Sequence, residues 1–270
     1  MAYIEVNGAR LLHEVTGAGE PLVLVHGSWS DHTSWMGVVP DLARTFRVVT
    51  YDRRGHSASG APPEPGSRQQ DEDDLAGVIE GVGPAPVHVA ANSFGASTAL
   101  GLSTRRPELF RSLAVHEPPL MSIVRDDSEL QPTMAALQKR IDRVLGDLRA
   151  GDAAGGARRF VEDVAFGPGV WDQLPEPVRQ AFVGNALTFL DEQSDPQWAT
   201  LDLEAFGRFD RPVLLTRGDA SPPWFPRIVE RLASALPRAK THVYAGAGHG
   251  PHMTHPAEYV AVLTGFIAGG

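Results

Sequence analysis

The run Val87-His88-Val89-Ala90-Ala91-Asn92-Ser93-Phe94-Gly95-Ala96 constrains this chain more than any other segment. It reads as an apolar strand that breaks at a serine and restarts as a helix of small residues (Ala96-Ser97-Thr98-Ala99-Leu100). A sharp strand-to-helix turn leaves little room, so the positions two before and two after the serine must be small. Here they are Ala91 and Gly95. Such a turn lifts the serine oxygen clear of the sheet and sets backbone N–H groups beside it. A small-x-Ser-x-Gly match alone is weak; the strand before it and the helix after it make the signal strong.

Composition narrows the chemistry. With 270 residues the chain can bury a sizeable core, in one large domain or two. It has no cysteine, which excludes thiol catalysis, disulfides, zinc-thiolate sites and iron–sulfur clusters. A formal net charge of -9 argues against nucleic acid as a partner, which would ask for a basic patch. No apolar run approaches the roughly 20 residues of a membrane helix. The opening Met1-Ala2-Tyr3-Ile4-Glu5-Val6 lacks the basic stretch and apolar core of a secretion signal, so a cytoplasmic location is expected.

Residues 21–25, 46–51, 86–90 and 111–115 read as buried strands, and the pattern returns at 212–216 and 241–244. Near-continuous apolar runs separated by helical stretches indicate a parallel sheet covered on both faces. Residues 224–236 and 256–267 carry helical apolar spacing. Between 118 and 209 no segment reads as a strand, whereas 130–148, 157–166 and 178–190 read as helices. A helical block of that length between two strands is an excursion or lid. The expected division is a core of 1–117 and 210–270 with a cap of 118–209. The acidic run 71–74 is expected to open a helix with solvated acids, where negative charge suits the positive helix end. Residues 61–66 read as a loop.

Four landmarks fall in order: His26-Gly27-Ser28-Trp29 after a strand, Tyr51-Asp52-Arg53-Arg54-Gly55-His56-Ser57 after a second, the serine turn, and Ala245-Gly246-Ala247-Gly248-His249-Gly250 near the end. Together they resemble the α/β-hydrolase family over nearly the whole chain outside the helical excursion. The resemblance implies an α/β class and the α/β-hydrolase fold: a mostly parallel central sheet, helices on both faces and a helical cap after the sixth strand. It implies Ser93 as nucleophile and His249 as its base. An imidazole titrates near neutrality and can both take and return the serine proton. It also implies an oxyanion hole from the N–H of Phe94 and the N–H of Ser28, with Trp29 as neighbour. His26 and His56 are expected to hold loops, and His252 and His255 to lie at the surface or face the cap.

The third member of the triad is left open. The family usually carries it after the seventh strand in a Gly-x-x-Asp pattern, but here Arg217-Gly218-Asp219-Ala220-Ser221 puts Ser221 at the expected place and Asp219 two residues early. Some relatives place the acid after the sixth strand, where this chain has Glu117. Both carboxylates remain, Glu117 slightly ahead. Three departures bear on activity. Ala91 replaces the usual first glycine of the turn. Ser93 stands where haloalkane dehalogenases and epoxide hydrolases attack through a carboxylate. Ser28-Trp29 differs from the His-Gly-Gly-Gly loops of larger esterases.

These residues suit a cofactor-free serine hydrolase of a small or medium, apolar ester, lactone or thioester, with Trp171, Phe182, Phe189 and Trp198 of the cap either lining the pocket or packing the cap on the core. Carbon–carbon bond hydrolysis or perhydrolysis by the same triad is an alternative. So is a low-turnover binding or biosynthetic accessory protein, which would follow if neither Glu117 nor Asp219 reached His249. No metal or organic cofactor is expected. The expected partners are a small-molecule substrate and, as an open option, a second copy of the chain in a homodimer.

Overall fold

A computed structural model describes residues 1–60 and 66–269. Among them, eight strands form one sheet: β1 (Ala2–Val6), β2 (Ala9–Thr16), β3 (Glu20–Val25), β4 (Phe46–Tyr51), β5 (Val87–Asn92), β6 (Phe110–His116), β7 (Val213–Gly218) and β8 (Lys240–Tyr244). Their spatial order is β1-β2-β4-β3-β5-β6-β7-β8. The β1/β2 and β2/β4 pairs are antiparallel and every other pair is parallel.

The apolar runs behave as their composition dictates. Successive side chains of a strand point to opposite faces, so Val23 and Val25 join one core while Leu22 and Leu24 join another. The first core takes Leu75, Val78, Leu100, Ile228 and Leu232 from the helices Arg68–Gly81, Phe94–Arg105 and Trp224–Ala235. The second takes Leu42, Tyr259, Leu263 and Phe266 from Val39–Leu42 and Pro256–Ala268. Each fully buried Leu or Val contributes about 1.5–3 kcal/mol. The sheet is therefore sandwiched, and its parallel strands all deliver their C-terminal ends to one edge.

Between β6 and β7 the described elements are all helical, beginning with Met121–Val124 and Gln131–Arg149 and ending with Leu203–Gly207. Three boundaries differ from the sequence expectation. The 157–166 segment is a helix from Ala153 to Arg159 that continues as a π-helical turn, Phe160–Ala165. The 178–190 segment is two helices, Glu176–Gly184 and Thr188–Ser194, parted at Asn185, whose side chain leaves the helix pattern to bond the core. The acidic run begins in the first turn of its helix, at Asp71, but its acids are not the solvated ones expected. Ser67 caps the helix in a capping box with Gln70, so Arg68 is the first residue, and Asp71, Glu72 and Asp74 are buried and paired with Arg53, Arg105 and Arg54. Strands β1 and β2 were not expected at all. They form the antiparallel margin of the sheet, and β1 has one buried side chain. Of the loop expected at 61–66, residues 61–65 lie outside the described residues.

The serine turn joins β5 to Phe94–Arg105 and is packed against the turn after β3. A Cβ at Gly95 would stand 2.3 Å from the carbonyl oxygen of His26 and 2.7 Å from that of Val25. Gly95→Ala is expected to lower stability by about 1–3 kcal/mol, because neither backbone oxygen can give way. Urea unfolding checks this, and an unchanged midpoint would show that the two turns are looser than this packing implies.

Candidate active site

Ser93 sits at the C-terminal end of β5 with φ 56° and ψ -126°, a conformation that L-residues rarely adopt. Strain of this kind costs on the order of 1–3 kcal/mol and persists only where its surroundings over-determine it. Here they do. The Ser93 N–H donates to His116 O at 2.9 Å, and its carbonyl accepts from Ala96 N and Ser97 N, starting the helix. The amides of Phe94 and Gly95 precede that first helical bond, so they are left without an intrahelical partner. Gly27 lies across from the serine, where a Cβ would come within 2.8 Å of Ser93 Cβ. This close approach brings the Ser28 backbone to the serine's side.

The loop carrying Ser28 is held from below by His26. Its Nδ1 bonds Gly27 O at 2.8 Å and its Nε2 accepts from the Arg53 amide at 2.9 Å. The carbonyl requires Nδ1 to carry the proton and the amide requires Nε2 to be bare, so the ring is neutral. Burial, reinforced by the Arg53 charge, lowers its pKa to about 4. His56 holds the next loop through Arg54 O at 3.0 Å and Thr188 Oγ1 at 3.1 Å. Both histidines therefore lie where loop-holding residues were expected. Trp29, with φ 65°, is fully buried, and its ring stacks 4.7 Å from Phe160.

His249 follows β8. Its Nδ1 donates to Glu117 Oε2 at 2.7 Å, and Phe225 stacks on its ring at 4.9 Å. Glu117, at the end of β6 with φ 46°, is fully buried, and its Oε1 accepts the Gly218 N–H at 2.8 Å. Burial pushes the Glu117 carboxyl up, but the hydrogen bond and charge of His249, aided by His116, outweigh it and hold the pKa below the ordinary value. Asp219 does not join this pair. It is exposed, and its Oδ1 accepts the Gly246 N–H at 2.7 Å, bracing the turn that leads to His249. Ser93 and His249 line the same cavity, although no direct hydrogen bond joins them.

That cavity has two arms. One, about 80 Å³, is lined by Met121, Leu137, Ile141, Trp198, Trp224 and Phe225 among others. The other, about 500 Å³, lies between Ser30, Thr33 and Ser34 of the core and Val170, Val178 and Phe182 of the helical insertion. Ser28, Ser93, Phe160 and His249 line both. Phe189 and Trp198 face the small arm and Phe182 the large one, whereas Trp171, partly buried, packs against the core cluster.

Of the two places expected for His252, the surface is not where it lies: it is buried against Trp35 at 4.3 Å, burial lowers its pKa to about 3, and it lines the large arm opposite the helical insertion. His116, unremarked in the sequence, lies buried 3.6 Å from Glu117, its Nδ1 on Thr216 Oγ1, and burial lowers its pKa to about 4. His255 is half-buried. Among the described residues, two groups bring three metal-ligating atoms within 4.8 Å of one another: His116, Glu117 and His249, and Asp31, His32 and Asp52. In both, hydrogen bonds already occupy the carboxylates.

Against known proteins, the α/β hydrolase family description matches residues 22–262. The chain belongs to that family and is a hydrolase of that fold. The 2-hydroxymuconate semialdehyde hydrolase of a Pseudomonas species is 25% identical over 268 residues, covering 95% of this chain and 89% of that protein. The pimeloyl-[acyl-carrier protein] methyl ester esterase of Aeromonas hydrophila is 26% identical over 265 residues, covering 93% and 96%. Among solved structures, an α/β hydrolase from Sphaerobacter thermophilus superposes with a TM-score of 0.77 at 26% identity, covering 98% and 99%.

The neutral buried histidines make the fold sensitive to acid. His26, His116 and His252 take a proton only near pH 4, 4 and 3, and His56 is also held well below its ordinary value by burial. Unfolded, each would bind one near pH 6.5. Between these values the unfolded state holds more protons, so stability present at neutral pH is lost as pH falls from about 6.5 toward 4, at about 1.4 kcal/mol per unit per histidine. A urea midpoint that falls steeply over that window is the expected result; a flat one would contradict the neutral assignment.

Proposed function

We propose that the protein is a cofactor-free serine hydrolase that cleaves a small or medium, apolar ester, lactone or thioester through an acyl-enzyme on Ser93. The observation that carries this reading is that His249, paired with buried Glu117 at 2.7 Å, faces the same cavity as a serine held in a strained strand-to-helix turn. A serine hydroxyl needs a base as it attacks. Glu117 fixes the ring with its proton on Nδ1, which leaves Nε2 free to take the proton of Ser93 Oγ. As Oγ bonds the carbonyl carbon, the oxygen becomes an oxyanion between the N–H groups of Ser28 and Phe94, each worth about 3–4 kcal/mol in such a hole. Collapse expels the alcohol or thiol with the proton from His249, and water repeats the cycle on the acyl-enzyme.

The cavity supports the substrate class. Its small arm is lined by aliphatic and aromatic side chains, and the large arm has an apolar roof over a floor of hydroxyls. Ser93 at the junction fits a scissile carbonyl with an apolar group on one side and a larger one on the other. The helical insertion serves as a cap, because residues 160–182 roof the large arm. A second reading is hydrolysis of a carbon–carbon bond by the same three residues, favoured by the likeness to 2-hydroxymuconate semialdehyde hydrolase over 95% of the chain.

Intact-mass measurement after treatment with a fluorophosphonate tests the nucleophile. One adduct on the wild type and none on Ser93→Ala is expected; no adduct on either would favour a binding protein. Glu117→Gln is expected to lower kcat on p-nitrophenyl esters by about 10²–10⁴-fold, and Asp219→Asn to leave it within about threefold. The reverse ranking would reassign the acid.

A further inference from the structure

Arg53 is fully buried behind the serine turn, and its surroundings tie the cap to the loop after β3. Its Nη2 donates to Asp71 at 2.8 Å and to Glu192 Oε1 at 2.9 Å, its Nη1 to Gly27 O at 3.2 Å, and its guanidinium lies 4.6 Å from the Phe94 ring. Glu192 comes from the cap helix Thr188–Ser194, and its second oxygen accepts the Ser28 hydroxyl at 2.5 Å. Seven residues earlier, the side chain of buried Asn185 donates to Trp29 O at 3.2 Å and to Ser30 O at 3.1 Å. Its Oδ1 accepts the Ser57 N–H at 2.7 Å. One short segment of the cap thus grips three consecutive residues of this loop, by the Ser28 side chain and the carbonyls of Trp29 and Ser30.

The loop needs such a grip. Trp29 is held at φ 65°, where a bulky residue is a true outlier unless its neighbours impose it. We propose that Asn185 and Glu192 are positioning residues: the docked cap, through these two side chains, sets the Ser28 amide as an oxyanion donor, so the hole is complete only while the cap is seated. This rests on the serine-hydrolase reading for its catalytic consequence, but the coupling of cap to loop is a property of the fold. Neither residue lines the cavity arms, so loss of either should leave ground-state binding alone and weaken only what the transition state needs. Misplacing a donor by about 1 Å is enough for a 10²-fold effect.

The test combines kinetics with hydrogen exchange on the full chain. Asn185→Ala and Glu192→Ala are expected to lower kcat on a p-nitrophenyl ester by about 10- to 100-fold with KM within about twofold. Both should speed exchange of the amides at 28–30, and Glu192→Gln should recover most of the loss. Ser28→Ala keeps the backbone donor and the Arg53–Glu192 pair, so it guards against a folding defect. It should lower kcat similarly, and Ser28→Ala with Glu192→Ala should be no worse than the worse single variant. A rise in KM at constant kcat, additive losses in the double variant, or unchanged exchange at 28–30 would overturn the inference. If the wild type neither hydrolyses esters nor labels at Ser93, the hydrolase reading fails, and the exchange measurement still decides whether the cap holds the loop.

Discussion

Everything at this site depends on how closely the turns after β3 and β5 approach. Two absent side chains allow it: a Cβ at Gly95 would strike the carbonyls of Val25 and His26, and a Cβ at Gly27 would strike Ser93. Because these turns touch, Ser28 and Ser93 come to line the same cavity. The parallel pairing of β3 with β5, Leu22 opposite His88 through Val25 opposite Ala91, sets that approach in register. A one-residue slip would turn every core side chain of β5 to the wrong face. The geometry of the site is thus enforced by the two cores on either side of the sheet.

Several charges buried around this framework are paired with opposite ones. Arg53 faces Asp71 and Glu192, Arg54 faces Asp74, and Glu72 faces Arg68 and Arg105. Burial alone would push the Arg53 guanidinium toward neutrality, but its two carboxylates hold it protonated. Glu192 is displaced upward by burial and restrained by Arg53 and the Ser28 hydroxyl. Such groups stabilise little relative to apolar packing, yet removing one partner strands a charge and costs about 3–5 kcal/mol. They therefore act more as locks on position than as sources of stability. The exposed pairs of the helical insertion, such as Arg208–Glu204, are each worth under about 1 kcal/mol and fix nothing of comparable consequence.

What could be read from the chain follows from how local each signal is. Strands β3 to β7 announce themselves because a buried parallel strand is apolar on both faces, and the turn at Ser93 because its small residues lie within five positions. β8, read from the sequence as a buried strand at 241–244, is instead the other margin of the sheet and buries only Tyr244. β1 and β2 carry no such signature. They are antiparallel at the margin, and residues such as Glu5, Arg10 and Glu14 sit within them. The same logic hides Arg53, Asn185 and Glu192. Arg53 and Glu192 are 139 residues apart, and nothing near either one marks the pair. The acids at 71–74 look like a solvated helix start because three of their arginines, Arg53, Arg54 and Arg105, lie elsewhere in the chain. His252 looks like a surface residue for the same reason, since Trp35 covers it from far upstream.

The choice between Glu117 and Asp219 shows where spacing stops being informative. β6 and β7 are neighbours, with His116 opposite Thr216, so the residues just past their ends converge on the same space. Glu117 keeps pairing with β7 for one more residue, its N–H donating to Thr216 O at 3.2 Å, before its positive φ turns the side chain across the sheet end. The carboxylate then accepts the Gly218 N–H and reaches the His249 ring from the side that an acid after β7 would use. Gly218 lets the loop that carries the histidine come close, since a Cβ there would stand 2.1 Å from Ala247 O. With that position filled from β6, Asp219 is free to brace the same loop from outside through Gly246. Both acids thus serve His249, one by fixing its tautomer and the other by fixing its backbone. Two candidates that look equivalent on spacing are separated by which one lies on the buried side of Gly218.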